Sequence, residues 1–469
     1  MPYRQGRTPR RERLIMPAHP DIPRLPIAAP MPMGRAMVLV GALMAALSLS
    51  FVDRQILALL VEPIKAELQI SDTAFGALQG AAFALFYIGF GIPLGRLADR
   101  GSRRNLIVVG ILLWSVATIA CGTAGSFAAL FAWRAGVGVG EAALSPAAYS
   151  MITDAVPKRR LSLALGAYNM GVYLGSGLAL LVGGALLGWL ARNEIDIAAL
   201  RDVAPWRLVF VCVGLPGFVM AALLLLLPEP RRTHFDATRQ DAMPSLAETG
   251  RFILGERRLF GGLIFGFACH NTALYALLSW MPAFLGRQYH LLPSAIGAAL
   301  GQSTVIGGAI GLIVGGIASD RLFAAGRGDA PLLVGMTSMT GIALATLITV
   351  FGGSAQISTW AFGLVMIFVA LPIGAAAAAL QLVVPNRYRG QVSALYLTSI
   401  SLVGLTIGPI VPPLIGDRIF HDPSRIGEAL AITVVIASAL SILLFLLGRP
   451  AYARRYAAIH LAPLSGDPI

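Results

Sequence analysis

The chain has 469 residues, of which 57% are hydrophobic and 13% are charged, and its mean hydropathy is +0.75. Soluble domains are about half apolar and about a quarter charged, so this composition excludes an ordinary soluble enzyme, a disordered chain and a nucleic-acid-binding protein. The formal net charge of +13 fits a membrane protein, because basic residues collect in cytoplasmic loops. Long apolar runs separated by short charged loops indicate a helical protein that crosses the membrane many times.

Twelve apolar segments are long enough to cross a bilayer, which takes about 20 residues per helix. We predict an all-α integral membrane fold with helices at 36–60, 72–97, 104–124, 127–154, 160–190, 206–227, 259–285, 294–317, 331–351, 358–384, 390–415 and 427–448. The predicted domains are an N-terminal tail (1–35), a six-helix bundle (36–227), a linker (228–258), a second six-helix bundle (259–448) and a C-terminal tail (449–469).

The distribution of Lys and Arg predicts the topology. With the N-terminus inside, 27 of the 36 basic residues fall in tails and loops on the inner side and seven fall on the outer side. The remaining two, Arg54 and Arg134, lie within helices. This bias places both termini in the cytoplasm. Residues 1–35 lack an apolar region soon after their basic start, so they are interpreted as a cytoplasmic tail rather than a signal peptide.

The two halves of the sequence repeat each other. A shift of 221 residues places Gly76 on Gly297, Gly80 on Gly301, Gly95 on Gly316, Asp99 on Asp320 and Arg100 on Arg321. A shift of 228 residues places Pro157 on Pro385, Arg159 on Arg387 and Tyr168 on Tyr396. Chance alignment of glycine-rich helices is the alternative, but matches at two near-equal offsets favour a true repeat. Parallel six-helix repeats are typical of transporters that bind substrate between their halves.

The loop between helices 2 and 3 reads GRLADRGSRR at 95–104 and resembles the signature loop of the major facilitator superfamily, with Ser102 at the position of a usual glycine. The acid of such a loop can contact a helix N-terminus in the other half and leave it in another state. The alternative is a solvated loop that only orients the chain. We predict a conformational latch formed by Gly95, Asp99, Arg100, Arg103 and Arg104, with Asp320 and Arg321 as its repeat.

Helix 4 carries Arg134 and Glu141 in the string RAGVGVGE, which resembles the fourth-helix motif of the same superfamily. The two side chains are seven residues apart and therefore share one helix face. The glycines between them indicate close helix packing, because a dinucleotide-binding loop would need a preceding strand. Ionisable residues inside a membrane span are functional candidates by default. A further string, PEPRR at 228–232, resembles the end of helix 6 in this superfamily.

Asp53, beside Arg54, is the only acid within helix 1. A buried carboxylate that meets an arginine in one state only changes its proton affinity between states. We therefore predict that Asp53, Arg134 and Glu141 couple transport to protons. The alternative is a static ion pair that fixes helix 1 against helix 4.

Residues 50–190 resemble the Spinster family of the major facilitator superfamily in a bacterial form. The matching stretches are FVDR at 51–54, GIPLGRLADR at 91–100, LWSVAT at 113–118, VGVGEAALSPA at 137–147 and YNMGVYLGSG at 168–177. The resemblance implies a bacterial inner-membrane protein with a proton-linked role for Asp53 and Arg134. It also implies a lipid-like substrate, such as a lysophospholipid or sphingosine-1-phosphate.

Polar residues on apolar helices are candidates for the wall of a substrate cavity. The predicted set is Arg134, Tyr168, Asn169, Tyr173, His270, Asn271, Tyr275, Gln302 and Tyr396, with Ser279, Trp280, Ser303, Thr304, Gln381, Thr398 and Ser399 as further polar positions. For each of them a hydrogen bond to a neighbouring helix is the alternative. A lysolipid would place its phosphate near Arg134 and its tail along apolar walls.

The sequence thus predicts a proton-coupled secondary active transporter that works by alternating access as a monomer, with protons, membrane lipids and an amphiphilic or lipid substrate as partners. The protein is not expected to be an enzyme, because its sequence has no Gly-x-Ser-x-Gly or His-Glu-x-x-His motif. It is not expected to need a cofactor or a metal, and its three cysteines, Cys121, Cys212 and Cys269, lie in apolar stretches. Its only lysines, Lys65 and Lys158, exclude a P-loop. The alternatives are a proton-coupled multidrug or organic-anion carrier and a non-transporting membrane sensor.

Overall fold

The computed structural model describes residues 31–192, 203–232, 244–385 and 387–460. Within these ranges the chain is helical and has no strands. Twelve helical segments are long and apolar enough to cross a membrane, which confirms the predicted all-α membrane fold. We number them spans 1–12: Met33–Leu59, Asp72–Gly91, Arg103–Cys121, Phe127–Ala155, Arg159–Leu190, Pro205–Leu225, Arg257–Tyr289, Pro293–Ala324, Ala330–Phe351, Ala355–Val383, Arg389–Phe420 and Pro423–His460.

Several spans contain a break. Span 1 ends in a 3₁₀ turn, Ile56–Leu59, and span 11 ends in a π turn, Gly416–Phe420. Spans 2, 4 and 10 each consist of two helices, which are Asp72–Gln79 and Ala81–Arg100, Phe127–Glu141 and Leu144–Ala155, and Ala355–Ala370 and Ile373–Val383. A short helix, Val61–Leu68, follows span 1.

The predicted linker and C-terminal tail are more helical than expected. The linker holds a helix, Leu246–Gly255, that begins with a capping box between Ser245 and Glu248. Span 12 continues to His460, so the prediction that it ends at 448 is wrong. Its extension is held by Tyr452, whose hydroxyl donates to the main-chain oxygen of Ala379 at 2.9 Å. The N-terminal tail up to residue 30, residues 233–243 of the linker and the last nine residues lie outside the described residues.

Spans 1–6 form the first half of the chain and spans 7–12 the second. Because consecutive spans run in opposite directions, Met33 and His460 lie at one face of the bundle, the terminal face. The connections after spans 1, 3, 5, 7, 9 and 11 lie at the opposite face, the far face. An apolar cluster near the far face joins Phe75 and Leu180 of the first half to Trp280 and Leu300 of the second.

The repeated glycines are where the halves touch. A side chain at Gly76 or Gly80 of span 2 would overlap the main-chain oxygens of Pro409 or Leu405 in span 11. The matching glycines of span 8, Gly297 and Gly301, lie in the same way against span 5. Small residues let helix backbones approach closely in membranes. The repeat detected in the sequence is therefore a pair of equivalent contacts between the halves.

A polar network covers these contacts at the far face. Arg287, at the end of span 7, donates to Asp72 at 2.6 and 2.8 Å and to Glu62 at 2.8 Å. Asp417, in the π turn that ends span 11, accepts hydrogen bonds from the main-chain nitrogen and the hydroxyl of Thr73 at 2.9 and 2.7 Å. Each of these bonds crosses between the halves. The glycine contacts and this network, together called the far-face contact, close the far face in this structure.

Replacing Gly76 by leucine should open the far face, because the new side chain overlaps the backbone of span 11. Spin labels at the exposed positions Gln69 and His421, in a background without native cysteines, should report a longer distance. Gly89→Leu is the matched control, since a Cβ built there meets no atom of a neighbouring helix within 4 Å. Equal distance distributions in both variants would contradict the role given to Gly76.

Candidate functional site

Asp53 of span 1 and Arg134 of span 4 are both buried, each with 1% exposure. Arg134 Nη1 donates a hydrogen bond to the main-chain oxygen of Asp53 at 3.1 Å. Neither carboxylate oxygen of Asp53, nor Nε of Arg134, makes a well-formed hydrogen bond among the described residues, and the hydroxyl of Thr118 on span 3 is the polar neighbour of the Asp53 carboxylate. The structure thus brings the two predicted residues together through the main chain of Asp53 and not through its carboxylate.

Glu141, the third predicted coupling residue, pairs with Arg54. Its Oε2 accepts hydrogen bonds from Arg54 Nε at 2.7 Å and from Ser50 Oγ at 2.7 Å. Arg54 Nη2 lies 2.6 Å from the same oxygen. Although Arg134 and Glu141 share one helix, each meets a different residue of span 1.

Arg54 is the functional candidate that the predicted set lacked. Its guanidinium lies over three aromatic rings, 4.7 Å from the centroid of Phe51, 4.3 Å from Phe83 and 4.9 Å from Tyr87. Such cation–π contacts stabilise a desolvated cation. The sequence did carry a signal, because an arginine inside an apolar helix is itself unusual.

The four charged groups form one electrostatic unit. Arg54, Arg134, Asp53 and Glu141 lie deep in spans 1 and 4, and among these four groups only Arg54 and Glu141 make a direct ion pair. An ion pair in a low-dielectric site is stable when further hydrogen bonds satisfy it, and Ser50 supplies one. Asp53 has no such ion pair and no supporting hydrogen bond of this kind. The arrangement can therefore hold or release a proton at Asp53 without breaking the other pair.

Glycines place span 4 close to its neighbours. A side chain at Gly138 would lie 2.6 Å from the main-chain oxygen of Phe83, and one at Gly140 would lie 2.7 Å from the main-chain nitrogen of Trp114. This confirms that the glycine string serves helix packing. Close approach of span 2 brings Phe83 beside Arg54.

A small cavity of about 30 Å³ lies between the halves, next to Arg54. Spans 1 and 2 contribute Arg54, Gln55 and Gln79, and the second half contributes Tyr275, Ser279 and Pro409. Gln55 is satisfied, since its Nε2 donates to the main-chain oxygen of Leu278 at 2.6 Å. Of the predicted cavity residues, Tyr275 and Ser279 line this space.

Several predicted cavity residues are bonded to their neighbours. Asn169 donates to the main-chain oxygen of Leu165 at 2.8 Å and accepts from Tyr149 at 3.0 Å. Tyr168 donates to Ser145 at 3.5 Å, Asn271 donates to the main chain of Ile400 at 3.4 Å, and Trp280 donates to the main chain of Pro409 at 2.8 Å. Hydrogen bonding to the protein accounts for these polar groups.

The remaining candidates are scattered. Tyr173 packs against Gly308, and Tyr396 lies edge-on to Phe267. His270 is buried, and its Nε2 has no partner within the described ranges. Gln302 and Ser303 lie in a groove of about 510 Å³ that is lined by spans 8 and 10 alone. Thr304 donates to Leu300 and Gln381 to Ser393, while Thr398 and Ser399 are half-buried on span 11. These positions do not converge on one space.

The loop between spans 2 and 3 is tied to its own half. Arg103 is buried and pairs with Asp154. Arg103 also donates to Ser150 at 3.0 Å and to the main-chain oxygen of Pro230 at 2.6 Å. Arg104 donates to the main chain at Leu225 and Leu227. Ser102 caps span 3 by accepting from the main-chain nitrogen of Asn105, which explains a serine at the glycine position.

Glu229, from the string at the end of span 6, holds this loop. It accepts hydrogen bonds from Ser102 Oγ at 2.6 Å and from the main-chain nitrogen and Nε of Arg103 at 2.9 and 3.2 Å. Partial burial by itself would raise the pKa of Glu229, but the hydrogen bonds from Ser102 and Arg103 outweigh it and hold the pKa below its ordinary value.

The described residues of the predicted latch make their contacts within the first half or are exposed. Gly95 faces Pro146 of its own half, and the Asp99 side chain lies outside what the structure describes. Arg100, Asp320 and Arg321 are exposed. Within the described ranges, no hydrogen bond or ion pair joins Arg100, Arg103 or Arg104 to the second half. The latch stays a prediction about a state with the terminal face closed.

Glu229→Gln should destabilise the protein at neutral pH, because a neutral amide binds Arg103 more weakly. A lowered pKa in the folded protein means that the stabilisation is complete above the unfolded value, about 4.3, and is lost as the pH falls through the folded value. Thermal unfolding in detergent should therefore give variant and wild type different melting temperatures at pH 7, and the difference should vanish as the pH falls through the folded pKa of Glu229. Glu256→Gln, whose acid contacts Arg455 at 3.8 Å, is the control and should change little. A separation that grows in acid would refute this assignment.

Glu141→Gln and Asp53→Asn should differ in stability. The first leaves Arg54 without its counter-charge and should cost about 3 kcal/mol. The second removes an acid whose carboxylate makes no well-formed hydrogen bond in the described structure and should cost less than about 1 kcal/mol. Unfolding of both variants in one detergent at pH 7 measures the difference. Equal losses would contradict the pairing of Glu141 with Arg54.

Comparisons with known proteins agree with this architecture. The family model of the Major Facilitator Superfamily matches residues 43–409. An MFS-type efflux pump of Mycolicibacterium smegmatis is 29% identical over 433 residues, covering 90% of this chain and 94% of the pump. A probable L-galactonate transporter of Escherichia coli is 26% identical over 292 residues, covering 59% of this chain and 60% of that protein.

Among solved structures, the chain is similar to a bacterial homologue of the human lysosomal transporter Spinster, captured inward-facing and unoccupied. The two share 26% identity and a TM-score of 0.72, over 92% of this chain and 99% of that one. The family match, the twelve spans and this structural likeness together have one consequence. The chain belongs to the major facilitator superfamily and is a Spinster-like transporter, not an enzyme.

Proposed function

We propose that this transporter is proton-coupled and works by alternating access. The observation that carries the proposal is Asp53, a buried acid whose carboxylate makes no well-formed hydrogen bond in the described structure. An ionised carboxylate in such a place costs several kcal/mol, so we infer that Asp53 is protonated in this state. Arg134 already touches the main chain of Asp53. A rotation that turns Arg134 onto the carboxylate would favour release of the proton.

The other coupling residues have complementary roles in this proposal. Glu141 pairs with Arg54, and Arg54 lines the cavity between the halves. A substrate or proton that disturbs this pair changes the charge balance beside Arg134. These four charged residues, Asp53, Arg54, Arg134 and Glu141, are called the charge cluster. The cluster thus connects the cavity between the halves to Asp53, the residue that carries the proton.

We infer that the terminal face is cytoplasmic, which the location of 27 of the 36 basic residues supports. The state with the far face closed is then inward-facing, like the similar Spinster homologue. Both termini are cytoplasmic, and the protein works as a monomer in the inner membrane of a bacterium.

A lipid-like amphiphile, of the lysophospholipid or sphingolipid class, is the proposed substrate. The support is the likeness to a Spinster homologue and a site that combines Arg54 with aromatic and apolar walls. The alternative is a multidrug or organic-anion carrier. It is favoured by similarity to an efflux pump and to a probable L-galactonate transporter.

Asp53→Asn should abolish accumulation driven by a pH gradient, because the amide cannot exchange the coupling proton. Proteoliposomes with an imposed gradient would be tested with lysophospholipid, sphingosine-1-phosphate, L-galactonate and a cationic dye. Glu256→Gln, which neutralises an acid outside the coupling residues and the predicted latch, is the control and should keep wild-type flux.

Each result has a defined meaning. Gradient-driven lysolipid flux that is lost only in Asp53→Asn supports both the substrate class and the coupling acid. Flux of dye or L-galactonate without lysolipid favours the alternative carrier. Normal gradient-driven flux in Asp53→Asn would overturn the coupling role of that residue, and binding without any flux would indicate a sensor.

A further inference from the structure

The small cavity between the halves contains an amide that the protein does not satisfy. The side chain of Gln79, on span 2, has its nitrogen and its oxygen buried, and neither has a hydrogen-bond partner within the described part of the chain. Gln55 lines the same space but is bonded to the main chain of Leu278. Nine in ten or more buried polar groups have a partner, so Gln79 requires an explanation.

The size of the cavity limits the group that could satisfy it. The volume of about 30 Å³ admits a group the size of one water molecule. A carboxylate or a phosphate diester offers only acceptors at neutral pH, so it would leave the amide oxygen unpaired. A hydroxyl fits, and it can accept from the amide nitrogen while donating to the amide oxygen.

The cavity lies between the two halves, so a hydroxyl bound in it would contact both halves. Arg54 and Gln79 belong to the first half, while Tyr275 and Ser279 belong to the second. In this structure the walls meet at the far-face contact, since Gln79 lies between Gly76 and Gly80. A ligand shifts a conformational equilibrium only by contacts that differ between states, and a group held here has such contacts.

We propose that Gln79 is a specificity-determining residue that binds a hydroxyl of the substrate's polar head. The proposal rests on the proposed transport function and narrows the substrate class to hydroxyl-bearing amphiphiles or anions. A lysophospholipid offers this hydroxyl on its glycerol, and a sugar acid offers it on its carbon chain.

The test compares matched ligands. Half-saturating concentrations for flux would be measured for a lysophospholipid and its deoxy analogue without the glycerol hydroxyl, and for L-galactonate and its mono-deoxy analogues. Wild type should prefer the hydroxylated member of one pair about tenfold, the effect of one lost hydrogen bond of about 1.4 kcal/mol. The pair that responds identifies the source of the hydroxyl.

Variants of Gln79 test whether this residue causes the preference for the hydroxylated ligand. Gln79→Leu should reduce the ratio to about one by weakening only the hydroxylated ligand, and Gln79→Asn, which keeps an amide, should retain part of the preference. Gln302→Leu is the matched control, because that glutamine lies in the groove of spans 8 and 10, and it should keep the wild-type ratio. Gln79→Leu should melt no lower than wild type, since an unpaired buried amide is removed.

A full hydroxyl preference in Gln79→Leu, or no preference in the wild type for either pair, would overturn the inference. These outcomes are separable from failure of the proposed function. Wild-type flux that responds to the pH gradient but not to Gln79 defeats the hydroxyl contact alone. Flux that depends on Gln79 but ignores the gradient defeats proton coupling alone. Absence of flux for all ligands defeats both.

Discussion

Hydrocarbon solvates charge poorly, and this constraint governs where the ionisable groups of the chain lie. The predicted topology assigns 27 of the 36 basic residues to one side of the membrane. The four charged groups that remain deep in spans 1 and 4 are two arginines and two acids. Because an isolated charge there costs several kcal/mol, these four groups depend on one another, and a change in the protonation of one alters the balance of the rest.

The two pairs of the charge cluster differ in how many interactions stabilise them. Arg54 and Glu141 have an ion pair, three aromatic rings and the hydroxyl of Ser50, so they are the fixed part. Asp53 and Arg134 share one hydrogen bond, and it involves the main chain. The less satisfied pair is the one that can change partner at low cost, which is the property that a coupling site requires.

Much of the fold could be predicted from the sequence, because twelve long apolar segments have few alternatives to helices in a membrane. The glycine repeat likewise predicted equivalent contacts, and Gly76 and Gly297 make them. It was harder to predict from the sequence which residues of the charge cluster pair with each other. Consecutive residues lie 100° apart on a helix, so Asp53 and Arg54 face different neighbours, and only the rotation of span 1 decides which meets Arg134.

The polar residues inside the spans show a second limit of prediction from the sequence. Lipid and protein interior are both apolar, so an apolar helix carries no pattern that distinguishes its two environments. Gln302 was expected in the cavity but lies in a groove of the second half, while Gln79, on a comparable helix, lines the space between the halves. Only packing, here the approach of Gly76 and Gly80 to span 11, separates the two glutamines.

The far-face contact also explains how the proposed cycle stays reversible. Helices in a membrane exchange contacts with one another for contacts with lipid, so separating the glycine surfaces exposes no charge and costs little. Arg287, with 12% of its side chain exposed, lies at the water-facing end, where separated charges are rehydrated. The two states can then differ by a small free energy. One unit of pH across the membrane supplies about 1.4 kcal/mol per proton, which is large enough to tip such a balance.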